Sequence, residues 1–307
     1  MALHRLTSIT IGVPDVADVA RFYSEFGLRE IAPHRFATVD GGEQLTIEPA
    51  PTRRLTTLGV GVDDPDDIAR IEASLRAIDA PVRSTGDSLH TVESVTGVKV
   101  DVTVAPRIAP ARTPDPLYNG PGRTVRENLR APVVLRAEPV RPHKLGHVVI
   151  GSVDKEASQR FFTAGLGFKI SDNLGDRAAF MRCSSDHHNV LVQKAPVNFL
   201  HHTAWEVADV DEIGRGATAM LEGHPDRHAW GLGRHHVGSN FFWYLKDPAG
   251  NFSEYYSDLD CVVDDALWTP EDFQGARSLY SWGPRPPKSF VTPEDIAAAM
   301  TGAHRPA

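Results

Sequence analysis

Residues 8–31 and 147–170 of this 307-residue chain follow one pattern, and no other feature narrows the possible folds as far. At an offset of 139, Ile11-Gly12 falls on Ile150-Gly151, Asp15 on Asp154, and Arg21-Phe22-Tyr23 on Arg160-Phe161-Phe162. Val62–Ile68 returns as Val207–Ile213 at an offset of 145, and Gly97–Asp101 as Gly250–Glu254 at 153. Offsets that grow along the chain are what loop insertions in the second copy would produce. The chain therefore reads as one domain written twice.

Each copy shows the same local order. A β-branched stretch leads to an Asp whose carboxylate can cap a helix, Asp15 or Asp154. Apolar residues then recur at helical spacing: Val16, Val19, Phe22, Tyr23 and Phe26 in one copy, Ala157, Phe161 and Leu166 in the other. Gly27 and Gly167 stand where each helix should stop. Strand-like segments follow at Phe36–Val39, Leu45–Ile47, Ala178–Met181 and Val190–Val192. Ile68, Ile71, Leu75 and Ile78 mark a further helix inside the first copy. Each copy thus resolves into two strand–helix–strand–strand–strand modules. The expected class is α+β: two tandem domains whose sheets curl around a cavity.

The expected segments are a first domain at 1–105, a connector at 106–142, a second domain at 143–260 and a tail at 261–307. Eight of the 23 prolines lie in 106–142, which favours extended chain wrapped on the first domain. The tail is again Pro-rich through 282–287, with a helix expected at Pro293–Met300 capped by Thr292. It suits a flap or a subunit contact.

Composition excludes several functions. Lys and Arg number 32 against 40 Asp and Glu, a net charge of −8, so no basic face is left for nucleic acid. Two cysteines, Cys183 and Cys261, are too few for a disulfide framework. The start lacks a signal-peptide core, and no apolar run approaches the ~20 residues of a membrane span. The expected location is cytoplasmic. Ten of the 14 histidines fall between His143 and His236, and imidazole is both a metal ligand and an acid/base.

The most specific stretch runs from Gly233 to Glu254: His235, an aromatic strand ending in Tyr244, the turn Asp247-Pro248-Ala249-Gly250, and Glu254. It resembles the signature of the type I extradiol ring-cleavage dioxygenases of the vicinal oxygen chelate superfamily. Upstream, Leu145-Gly146-His147, His187-His188 and Leu200-His201-His202 extend the likeness over the second domain, with the first domain a diverged copy. The resemblance implies paired βαβββ modules in each domain. It implies one Fe(II), with Mn(II) as an alternative, held by His147, His202 and Glu254, and O2 as cosubstrate. Two imidazoles and a carboxylate on one face of a metal leave the other face open to substrates. The first-domain counterparts, Ser8, Thr57 and Asp101, are a poor set for Fe(II), so one metal per chain is expected.

By the same resemblance His188 is the acid/base on the oxygen side. His235 hydrogen-bonds the substrate oxygen, and Tyr244 orients or protonates the oxygenated intermediate. Adjacent strand residues face opposite ways, so only one histidine of each doublet should face the metal. Trp230, Trp243 and Arg234 are the expected pocket residues. Relatives that cleave a carboxylated catechol carry an Arg at the position of Trp230. The expected substrate is therefore an uncharged alkyl- or aryl-substituted catechol, cleaved to a muconic-semialdehyde-type product, in a homo-oligomer. Two other readings of the same fold are a 2-oxo-acid-using 4-hydroxyphenylpyruvate dioxygenase-like enzyme and a metal-free small-molecule-binding protein. The His235/Tyr244 pair disfavours the first, and the complete triad disfavours the second. Glyoxalase-type chemistry usually assembles its site from different modules.

Overall fold

The computed structural model describes residues 3–110, 113–275 and 278–300; the remainder of the expected first domain and tail (1–2, 276–277 and 301–307) lies outside the described residues. The first half comprises β1 (Leu3–Val13), α1 (Val16–Glu25), β2 (Arg29–Ala32), β3 (Arg35–Thr38), β4 (Gly42–Pro49), β5 (Arg54–Val62), α2 (Pro65–Ala77), β6 (Val82–Ser84), β7 (Ser88–Val92) and β8 (Lys99–Val104). These strands form one eight-stranded sheet in the order β2-β3-β4-β1-β5-β8-β7-β6. The first strand of each module pairs parallel with its fourth, and the two modules meet antiparallel along β1 and β5.

After α3 (Pro132–Leu135), the second half repeats the plan. It runs through β9 (Lys144–Ser152), α4 (Lys155–Arg160), β10 (Lys169–Leu174), β11 (Ala178–Arg182), β12 (Val190–Lys194), β13 (Phe199–Glu206), α5 (Val210–Leu221), β14 (His228–Arg234), β15 (Phe241–Lys246) and β16 (Phe252–Ser257). The sheet order β10-β11-β12-β9-β13-β16-β15-β14 matches the first sheet position by position. The duplication in sequence is thus a duplication of βαβββ modules.

All four module helices start the same way. Asp15, Asp64, Asp154 and Asp209 each accept a backbone N–H three residues on, satisfying a donor that the helix leaves free. Gly27 and Gly167, at φ +96° and +86°, end the first helix of each half in the left-handed conformation that glycine tolerates. One helical expectation is corrected. α4 buries Lys155 and Ser158 and leaves Ala157 exposed, and the chain then widens into a π-helical turn at Phe161–Gly165. Phe161 and Leu166 remain in the core.

The halves share that core. α1 lies against the second sheet, where the Phe26 ring stacks on Tyr255 at 3.9 Å and the Tyr255 hydroxyl donates to the Phe26 carbonyl at 2.7 Å. An aromatic pair of this kind adds about 0.5–1.5 kcal/mol beyond its burial. Tyr23 reaches Ser253 across the same seam. In return, Gly165 of the π turn sits on Leu75 and Ile78, close enough that a side chain there would collide. Since Ser253 and Tyr255 face this seam, the intervening Glu254 must project from the opposite face of β16.

The connector does not wrap the first half alone. Arg107 pairs with Asp63, but Tyr118 then reaches Asp211, and Arg136 pairs with Asp209 at the start of α5. In the tail, α6 (Lys288–Val291) and α7 (Ile296–Met300) replace the single expected helix, and Thr292 ends α6 rather than capping α7. Both cysteines are free. No described helix is long and apolar enough to cross a membrane.

Candidate metal centre and substrate cavity

Strand register builds the site as a single row across the second sheet. His147 on β9 lies opposite Ala204 on β13, Ala204 beside Glu254 on β16, Glu254 opposite Tyr244 on β15, and Tyr244 opposite Trp230 on β14. Ala204 contributes only a methyl group, so the space between His147 and Glu254 stays open. His202, two residues before Ala204 on the same strand, enters that space from the side.

His147, His202 and Glu254 are all buried, and one potential ligand atom from each lies within 4.8 Å of the others. His147 Nε2 is 3.0 Å and His202 Nε2 3.6 Å from Glu254 Oε2. His202 Nε2 is a buried nitrogen with no hydrogen-bond partner. Two nitrogen donors and one oxygen donor converging on one point suit a divalent transition metal. Asn240 Nδ2 donates to the second carboxylate oxygen of Glu254 at 3.0 Å and fixes its orientation. This is the only such cluster among the described residues; in the first half, Asp101 instead pairs with His90 near the surface.

Around the triad lies a cavity of about 260 Å³, lined by His188, His235, Tyr244 and Trp230 as well as by both triad histidines. His188 packs 4.1 Å from the His147 ring. Burial, reinforced by the neighbouring histidines, pushes its pKa well down, so it is neutral near pH 7. Its Nδ1 meets His187 Nδ1 at 3.1 Å, and His187 Nε2 reaches Asp172 at 2.8 Å. On the far side, His235 Nδ1 donates to the Leu279 carbonyl at 2.6 Å, and its Nε2 lies 2.8 Å from the Tyr244 hydroxyl. Burial lowers the His235 pKa, while burial and then the Glu254 charge raise that of Tyr244. The pair is therefore a neutral imidazole accepting from a protonated phenol.

Two of the three expected pocket residues need correction. Trp243 alternates with Tyr244 and so packs on the opposite face of β15, its N–H donating to His228. Arg234 leaves the cavity for an ion pair with Asp258 above the Phe241 ring. Trp230 does line the cavity, but its N–H is taken by the Pro284 carbonyl, so it offers substrate a flat wall and no donor. Doublet parity also fails at 201–202. The β13–β9 register slips between Leu200 and His202, and both His201 and His202 line the cavity. His236 points away, as expected.

The sequence did not point to Asn240, His201 or Asp172; the tail, expected as a flap or a subunit contact, lies over the cavity. Leu279 and Phe290 close the cavity from the tail side, and Phe290 lies 4.6 Å from the Tyr244 ring. Asn240 shares the parity of Tyr244, the signal that could have found it. A wider polar groove of about 870 Å³ lies elsewhere, but its acids are already paired, Asp186 and Glu206 with Lys144 and Asp40 with His143.

Known proteins share the sequence pattern and the fold of this chain. Residues 144–255 match the Glyoxalase/Bleomycin resistance protein/Dioxygenase superfamily. Metapyrocatechase 2 of Cupriavidus necator is 32% identical over 300 residues, covering 94% of this chain and 92% of the relative. An iron-dependent extradiol dioxygenase of Rhodococcus jostii (strain RHA1) is 27% identical over 154 residues, 45% of this chain and 50% of its own. In fold, the Mn(II)-bound glyoxalase from Novosphingobium aromaticivorans superposes with a TM-score of 0.74 at 24% identity, covering 94% of each chain.

Asp247, in the turn that leads into β16, gives a test of the electrostatics beside the row. Burial pushes its carboxyl up to about 6, although Asn251 donates to both of its oxygens. The folded state then holds this proton more tightly than the unfolded chain. Its contribution to stability is full below the unfolded carboxylate value and is lost as pH rises through about 6. Wild type should therefore lose up to about 3 kcal/mol relative to Asp247→Asn across that window. Urea unfolding of both proteins from pH 3.5 to 7.5 checks this; parallel pH profiles would contradict it.

Proposed function

The chain belongs to the type I extradiol ring-cleavage dioxygenases of the vicinal oxygen chelate superfamily, and from that premise we propose that His147, His202 and Glu254 hold one Fe(II) per chain, or Mn(II) in its place. The reaction is oxidative opening of a catechol ring beside the diol, with both atoms of O2 entering the product. The observation that carries the site assignment is the buried row His147–Ala204–Glu254–Tyr244, with His202 beside it and two neutral histidines flanking it.

When bound, the metal supplies a Lewis-acid centre and an electron path between ring and O2. The remaining work belongs to side chains. A catechol enters carrying two phenolic protons, and neutral His188 accepts one at Nε2, the nitrogen not engaged with His187. It keeps that proton for the later oxygen–oxygen cleavage. His235 is held by Leu279 with its lone pair towards Tyr244, so the two act as one hydrogen-bonding unit at the substrate oxygen. Tyr244 retains its proton and is not a base; its single hydrogen goes either to His235 Nε2 or to a substrate oxygen, not to both. The tail residues Leu279 and Phe290 keep water from the reacting ring.

An uncharged alkyl- or aryl-substituted catechol suits this cavity. Val149, Phe180, Leu191 and Phe290 line it, and its two cations, Arg177 and Lys194, are exposed. A carboxylate placed against Trp230 would meet no compensating charge.

Reconstituted protein is expected to contain close to one Fe or Mn per chain by elemental analysis, and Glu254→Ala almost none. Two metals per chain, or undiminished binding in the variant, would sink the triad. His188→Phe should keep its metal yet cleave roughly 10²–10⁴-fold more slowly; loss of metal would instead make His188 a ligand. Among substrates, kcat/KM should be higher for 3-methylcatechol and 2,3-dihydroxybiphenyl than for homoprotocatechuate, and the reverse order would refute the neutral pocket.

A further inference from the structure

We propose that His201 is a positioning residue: it fixes the tautomer of His202 and, through the same ring, fastens the tail over the cavity. The inference rests on the reading that His202 holds a metal. The register slip in β13 turns His201 to the cavity side, where its Nδ1 lies 2.8 Å from His202 Nδ1 and its Nε2 lies 2.8 Å from the Phe290 carbonyl. A carbonyl only accepts, so His201 Nε2 carries the hydrogen. The buried ring meets only that carbonyl and His202, with no carboxylate among its hydrogen-bond partners, so its one hydrogen sits on Nε2 and its Nδ1 is a lone pair. Neutral His201 therefore accepts at Nδ1.

His202 must then donate from its own Nδ1. That leaves His202 Nε2 as a bare lone pair, and it is this nitrogen that lies 3.6 Å from Glu254 Oε2 without a hydrogen-bond partner. The opposite tautomer would aim an N–H at the metal position. Hydrogen bonding behind a ligand histidine sets which nitrogen ligates and how basic it is. Here the final acceptor is Phe290, whose ring packs against Tyr244 and Trp230, so one imidazole ties ligand geometry to the wall of the substrate cavity.

Two measurements test this. Long-range proton–nitrogen spectra of metal-free wild type, labelled at histidine, should show His202 protonated at Nδ1 and His201 at Nε2. The reverse assignment overturns the proposal without any substitution. Next, Mn(II) titration followed by the free-ion spin-resonance signal should give 10–100-fold weaker affinity for His201→Phe, which keeps the ring shape but has no nitrogen. His201→Gln, with one acceptor and one donor, should stay within a few-fold of wild type. Backbone amides of residues 288–291 should exchange faster in the Phe variant only. Equal affinity in wild type and His201→Phe refutes the positioning role. Wild type that binds no Mn(II) would sink the metal reading instead, and the tautomer spectrum would still judge His201.

Discussion

Glu254 is a carboxylate with no solvent exposure, and much of the second half answers the cost of placing it there. An isolated buried charge would cost several kcal/mol or take up a proton. Asn240 donates to one oxygen, two imidazoles approach the other, and Tyr244 stands opposite on β15. A divalent cation held there would complete that balance. Burial keeps His188 and His202 neutral, so neither offsets the carboxylate charge nor competes with a metal for it.

The first half holds no such cluster among its described residues, yet the site depends on it mechanically. Tyr23 and Phe26 of α1 press on β13 and β16 from behind, fixing the two strands that carry His202 and Glu254. Arg53 reaches across to the Leu200 carbonyl, to Asn251 in the turn before β16, and to Asp295 of the tail at 2.5 and 2.9 Å. The first copy thus serves as the support for the cluster in the second.

Much of this was legible because it is periodic. The repeat gives the modules, the capping Asp residues give the helix starts, and His147, His202 and Glu254 fall at matching module positions. What escaped breaks a period. α4 leaves Ala157 exposed and gives way to a π turn, and the slip at His201 brings both members of one doublet to one face. Trp243 is a different failure, since strict alternation with Tyr244 already excluded it from the cavity. The tail was legible only as a flap or a subunit contact, without its partners: its contacts with the site run largely through backbone carbonyls, those of Leu279, Pro284 and Phe290, which any residue could supply.

Those three carbonyls explain how an irregular, Pro-rich segment can complete a cavity without contributing chemistry. Each accepts from a ring N–H on the site: His235, Trp230 and His201 in turn. Each of those rings would otherwise bury an unpaired donor, at a cost of about 1–3 kcal/mol apiece. Docking the tail and satisfying the site are therefore one event, driven from both sides. The same bonds take up donors that could have read a polar substituent on the substrate. What remains facing the cavity is the apolar surface of Phe290, Leu279 and Trp230, so the cover that seals the cavity also gives it an apolar wall.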